Sequence, residues 1–196
     1  MFSLSQRFQQ TSNHAVSFAI WAAVFVIATF CAQLYHDNVF NLASSISNVQ
    51  PHINLRSSRY YGSTNGKPKE NVKIAFDLEA DLTPAFNWNT KQVFVYLTAT
   101  YKGTRNKEVI NEVTFWDKII TDPKDAVLNV HNAKSKYSIW DLEEKLAERE
   151  FQFKLHWNIQ PWIGNLVYGE TTGMTTATMT DSEKKSKPSS KKNAGI

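Results

Sequence analysis

Disulfide chemistry is closed to this chain: Cys31 is its single cysteine, and an internal bridge needs two. Stability must come from a packed core, and the 145 residues from 36 to 180 are enough to build one. No Asn-x-Ser/Thr sequon occurs, so N-glycosylation is not expected. Net charge is also missing where a nucleic-acid surface would need it. Between His36 and Thr180, 16 Lys+Arg face 16 Asp+Glu, and the formal +4 comes from Arg7 and the last sixteen residues. A domain that grips phosphates concentrates positive charge on its folded part, so nucleic acid is excluded as a partner. The histidines at 14, 36, 52, 131 and 156 include no pair at metal-ligand spacing, and no alternating strand–helix pattern marks a nucleotide fold. No metal or cofactor is expected.

What the chain does have is a long uncharged run. Residues 15–34 contain only Ser17, Thr29 and Gln33 as polar members. Twenty helical residues rise about 30 Å, the thickness of a bilayer's hydrocarbon core. A soluble core helix would keep a polar outer face, and a cleavable signal has an apolar run of about 7–15 residues. The Ala43-Ser44-Ser45 sequence, which could mimic a cleavage site, also lies well past the end of the run. The pattern predicts a transmembrane signal anchor over 15–35, marked by Ala15, Trp21, Cys31 and Leu34. Arg7 before the span and Asp37 after it place residues 1–14 in the cytosol and the remainder across the membrane. The Lys/Ser-rich tail, 181–196, cannot bury enough surface to order itself and reads as a disordered, solvated end. A polybasic contact with anionic lipid is its functional alternative.

After a stem over 36–50, residues 51–180 read as a β domain. Residues 72–82 alternate strictly, with Val72, Ile74, Phe76, Leu78, Ala80 and Leu82 on one face. The run 92–101 places Val93, Val95, Leu97 and Ala99 together, with Phe94 and Tyr96 on a second, partly covered face. Runs at 112–120 and 151–159 are further strands, the latter with Phe151, Phe153, Leu155, Trp157 and Ile159 inward. Asn65-Gly66 and Asp122-Pro123 supply turns. Short strands with few helical signals predict an antiparallel sandwich. Residues 138–150 are either a short crossing helix or a charged loop.

Catalytic signals are weak. Asp77, Glu79 and Asp81 share a strand face and could gather a divalent cation, but an exposed strand face commonly carries such charges. Ser135-Lys136 and Ser57-Ser58-Arg59 lack an activating context for a nucleophile. The aromatic load is more telling. Trp157 belongs to a core, whereas Trp88, between strands, and Trp162, after Pro161, fall in loops. Such tryptophans mark contact with a partner protein or with the membrane–water boundary.

The segments FDLEADLTPAFNWNTKQVFVYL at 76–97, VTFWDKII at 113–120, KYSIWD at 136–141 and FKLHWNIQPW at 153–162 make the chain resemble the subunit 3 family of the eukaryotic signal peptidase complex, most nearly its yeast-type members. The resemblance covers residues 2 to about 178. It implies a single-pass type II protein of the endoplasmic reticulum membrane with a lumenal β-sandwich. It also implies a non-catalytic, structural role beside a serine-type catalytic subunit that removes signal peptides. The implied partners are that catalytic subunit, the other subunits and the membrane, with the translocon as a further candidate. Relatives often carry a lumenal glycan, whereas residues 173–176 here hold no sequon. Phe86, Asn87, Trp88, Asn89, Lys91, Trp116, Asp117, Lys118 and Trp162 are the candidates for a partner interface. The competing function is a membrane-anchored β-sandwich that binds a glycan or an adhesion partner of the exocytic pathway.

Overall fold

A capping box starts the first element of the computed structural model, which describes residues 3–57, 68–103, 108–141 and 145–180. The Ser3 hydroxyl accepts from Gln6 N–H at 3.4 Å, and the Gln6 side chain accepts from Ser3 N–H at 3.1 Å. Helix α1, Leu4–His36, then runs for 33 residues. It is long and apolar enough to cross a membrane and extends eleven residues before the apolar run. Asn38, in the left-handed conformation at φ 55°, stops it, as a short amide side chain after a helix end commonly does. Ala15, Trp21 and Cys31 are exposed on α1, while Phe30 and Leu34 are each 1% exposed and join the core of the domain that follows.

That domain consists of two antiparallel sheets. The first has the order β1-β2-β5, from Ser44–Arg56, Lys69–Asp81 and Val127–Lys134, with the two-residue strand β6, Ile139–Trp140, also pairing β2. The second has the order β4-β3-β7-β8, from Ile110–Ile120, Thr90–Lys102, Glu150–Pro161 and Val167–Thr178. The mainly β architecture behind one N-terminal apolar helix is the one the periodicity predicts. All the inward residues anticipated on 72–82, 92–101 and 151–159 are buried. Strand β1 begins at Ser44, so half of the stretch set apart as a stem is paired with β2.

Bulges shape the first sheet. Asn48 in β1 and Asn132 in β5 both adopt φ near 50°, and the registers of β1 and β5 on β2 shift beside them. Asp77 of β2 lies between the two. Its carboxylate accepts the Asn132 N–H at 2.6 Å and the Asn48 amide at 3.2 Å, and these bonds hold its pKa below the ordinary carboxylate value. In the second sheet a bulge at Phe115 lets Phe115 and Trp116, adjacent in sequence, both enter the core.

The described residues of 138–150 do not take the crossing-helix alternative. Ile139 and Trp140 pair with Val72 and Asn71 as β6. Arg149 then grips Asp141 at 3.1 Å, and the Glu70 carboxylate accepts the N–H groups of Leu146 and Ala147. Glu148 stands at φ 65°, outside helical space. These long-range partners satisfy the backbone better than a 13-residue isolated helix would. Residues 142–144 lie outside the described residues, as do the Asn65-Gly66 turn, Ser58, Arg59 and the tail over 181–196.

Candidate functional site

Two loops meet at the end of the sandwich nearest α1. The first connects β2 to β3. A 3-10 turn at Thr83–Ala85 leads into Asn87, whose side chain accepts from Asn89 N–H at 3.0 Å. The Thr90 hydroxyl donates to Ala85 O at 2.9 Å. This local asparagine turn fixes the backbone so that Trp88 projects from its apex, 59% exposed. The second loop, between β7 and β8, carries Trp162, Ile163 and Leu166 at its surface.

Asn89 fastens one loop to the other across 74 residues of sequence. Its side-chain NH2 donates to Ile163 O at 2.9 Å, its side-chain oxygen accepts from Ile163 N–H at 3.1 Å, and its backbone oxygen accepts from Trp162 N–H at 2.8 Å. Asn89 is 2% exposed, so these bonds satisfy a buried amide as well as the loop. The Lys91 ammonium lies 5.3 Å from the centroid of the Trp162 ring, within cation–π range. Of the nine interface candidates, Asn87, Trp88, Asn89, Lys91 and Trp162 are thus brought together, with half-buried Phe86 beside them.

The other three lie apart from that tip. Trp116 is 8% exposed and meets Phe76 edge-on at 6.0 Å, so it is a core residue rather than a surface one; the Phe115 bulge turns it inward. Asp117 pairs with Lys136 at 3.4 Å and accepts a hydrogen bond that raises the Tyr137 pKa, while Tyr137 N–H donates to Phe115 O at 3.1 Å. The Trp-Asp-Lys and Lys-Tyr segments therefore form a seam between the two sheets. Lys118 is half-buried near the end of β4.

Sequence reasoning passed over Ile163, Gly164 and Leu166. Only their place beside Trp162, after Pro161, could have drawn attention to them. Gly164 brings the loop against α1: its backbone is at φ 125°, and a Cβ there would lie 3.3 Å from Ile27 Cγ1. The second, partly covered face anticipated for 92–101 forms a further surface, to which β7 adds His156. On the outer face of β3 and β7, Phe94, Tyr96 and His156 stack at 5.5 and 5.2 Å. Burial pushes the His156 pKa down, partly opposed by Glu112 at 3.7 Å, which favours the neutral ring.

The polar groups that might have carried chemistry are spent on the fold. Asp81 accepts from Thr83 N–H at 2.9 Å, and Asp77 bridges the two bulges, so the three-carboxylate face is divided. No group of three His, Cys, Asp or Glu residues able to hold a metal occurs among the described residues. The Ser135 hydroxyl accepts from Ile74 N–H at 3.1 Å, and that of Thr171 donates to Leu155 O at 3.0 Å.

Comparison with known proteins gives this arrangement its relatives. The sequence model of a family described as signal peptidase subunit matches residues 1–182. A protein named signal peptidase complex subunit 3 from Saccharomyces cerevisiae is 55% identical, over 94% of this chain and 100% of the relative. Proteins of the same name from Debaryomyces hansenii and Yarrowia lipolytica are 52% and 46% identical, over 87% and 86% of this chain and 90% and 92% of theirs.

Proposed function

The chain belongs to the signal peptidase subunit family, and from that premise we propose that it is a non-catalytic, structural subunit of the signal peptidase complex. It supports a separate catalytic subunit in removing signal peptides from nascent secretory and membrane proteins. It sits in the endoplasmic reticulum membrane as a single-pass type II protein, with α1 as its anchor and the sandwich in the lumen. The observation that carries this reading is near full-length identity to proteins named as subunit 3 of that complex. The local chemistry supports it: the buried hydroxyls of Ser135 and Thr171 bond to backbone and are positioned as structural groups, not as nucleophiles. The exposed members of the loop pair are the residues offered outward, with half-buried Lys118 apart from them on β4, while Asp117 is engaged with Lys136. Trp116 and Asn89 act by holding those residues in place. Tethering by α1 makes docking on a neighbouring membrane subunit effectively intramolecular, so a modest interface suffices.

Family membership disfavours the anchored glycan- or adhesion-binding module. The decisive experiment is acute depletion of the chain followed by pulse-labelling of a secreted precursor. Translocated precursor that keeps its signal peptide is the expected result. Normal cleavage after complete depletion would remove the essential-subunit reading.

A further inference from the structure

We infer that the loop tip formed by Trp162, Ile163 and Leu166, with Trp88 beside it, is a second membrane-contact site that inserts into the same lipid leaflet that the C-terminal half of α1 occupies. The inference goes beyond assignment to a complex; it rests on α1 crossing a bilayer and not on which partners the chain joins.

Position along the helix carries the argument. The tip reaches α1 at Ile27, where a Cβ on Gly164 would stand 3.3 Å from the Ile27 side chain. Ile27 is seven residues before Leu34, about 10 Å inside the apolar run at 1.5 Å per residue. Were the tip in water, everything from Ile27 onward would be at the aqueous level. Only residues 15–26 would then remain for lipid, about 18 Å against a core of about 30 Å. Seating the tip in the leaflet removes that mismatch.

The chemistry of the tip suits lipid. Trp88, Trp162, Ile163 and Leu166 are large apolar side chains left exposed at one end of the domain, and tryptophan favours the boundary between headgroups and acyl chains. A loop in that environment must satisfy its own backbone, because hydrocarbon offers no hydrogen bonds. Asn89 does this for both polar groups of Ile163 and for the Trp162 N–H, although Ile163 and Trp162 are themselves exposed. Lys91, over the Trp162 ring, has a stem long enough to place its ammonium among lipid phosphates while the ring lies deeper. Because α1 and the sandwich share one core, two contacts with the leaflet, the helix and the tip, set the tilt of the joined unit in the bilayer.

The test uses the full chain reconstituted in vesicles of phosphatidylcholine and phosphatidylinositol. One environment-sensitive fluorophore is attached at a time: at native Cys31, at Ile163→Cys in a Cys31→Ser background, or at Ile110→Cys in the same background. Ile110 is exposed at the opposite end of the sandwich. The expected result is blue-shifted emission at 163, quenching there by lipid-borne nitroxide and loss of quenching by aqueous iodide, with the reverse at 110. Iodide quenching at 163 equal to that at 110, with the Cys31 label still quenched from lipid, overturns the inference and leaves the anchor standing. Iodide access to Cys31 itself removes the anchor and the inference together. Protection at 163 that appears only after the other subunits are added assigns the tip to a protein partner and likewise overturns it.

Discussion

Gly173→Ala should loosen the join between the two sheets. Gly173 of β8 faces Ser44 at the start of β1, and a Cβ added there would collide with Ser44 O and lie 2.8 Å from Ser44 Oγ. Real Cβ contacts essentially never fall below 3.0 Å, so one backbone must retreat by roughly 1 Å, and the obstacle is a carbonyl rather than a flexible side chain. Three bonds that join β8 to the chain around β1 lie within that displacement. Ser44 and Thr171 share a hydroxyl contact at 2.7 Å, Thr172 N–H donates to Leu42 O at 2.9 Å, and the Thr175 hydroxyl donates to Ile46 O at 2.6 Å. Each contributes about 0.5–1.5 kcal/mol net, and overpacking adds about 1–3 kcal/mol, so a loss of about 3–5 kcal/mol is expected if two or three of them fail. Denaturant unfolding of the full chain in detergent, followed by near-ultraviolet circular dichroism, measures it as a lowered midpoint. Met174→Ala, at the exposed neighbour, is the control and should stay within about 0.5 kcal/mol of wild type. A Gly173→Ala midpoint no lower than the control's would refute the close approach of β8 to β1.

Three further outcomes are expected. Asn89→Ala deletes both side-chain bonds to Ile163 and should cost about 1–3 kcal/mol; hydrogen exchange should quicken at 162 and 163, and unchanged protection there would show that the loops do not depend on Asn89. Phe30→Ala or Leu34→Ala removes a helix side chain from the domain core and should cost about 2–5 kcal/mol. Limited proteolysis near the α1–β1 junction should speed up, and a wild-type cleavage rate would mean that the helix end is not docked. Stability should also fall toward acid. Asp77 (through Asn132), Asp81 (through Thr83) and Glu170 (through Lys154) have lowered pKa values, as does His156 through burial. For each, the unfolded chain binds protons that the folded chain resists. The His156 contribution is thus lost as pH falls below its ordinary 6.5, and those of Asp77 and Asp81 as pH falls below 3.8. An unfolding temperature that holds flat or rises between pH 7 and 3 would contradict these assignments.

The strands legible in the sequence are those whose inward face is filled by large apolar side chains. Strands β2, β3 and β7 alternate because one face meets the opposite sheet, and their residues declare it. Strands β1 and β8 hide their identity for the opposite reason. They run at the sheet margins, where Ser44, Thr171 and Thr175 bond across the gap instead of filling it, so the alternation carries no hydropathy contrast. The Phe115 bulge is illegible for a different cause: one inserted residue lets two neighbouring aromatics share a face, which strict period-two reasoning assigns to opposite sides. Trp116 therefore looked available for contact and is core. The loop tryptophans were legible as exposed, but their partnership through Asn89 joins positions 74 residues apart. No local pattern encodes such a pairing.

The join between helix and sandwich bears most directly on function. Phe30 and Leu34 of α1, Val39 and Leu42 of the short connection, and Ile46 of β1 belong to the same buried cluster as the sandwich interior. Phe40 continues it, 5.8 Å from the Trp157 ring, and Tyr35 lies 5.2 Å from Phe40. A flexible tether would have left those positions polar and exposed. Here the last turns of the anchor and the domain share one core, so rotating the domain against the helix would break apolar contacts worth several times thermal energy. The orientation of the sandwich relative to α1 is then fixed by the fold itself. In the role proposed above, holding a neighbour in position at a membrane surface, that rigidity is the property the sequence has to encode. That rigidity comes from an apolar helix end and a sheet that receives it.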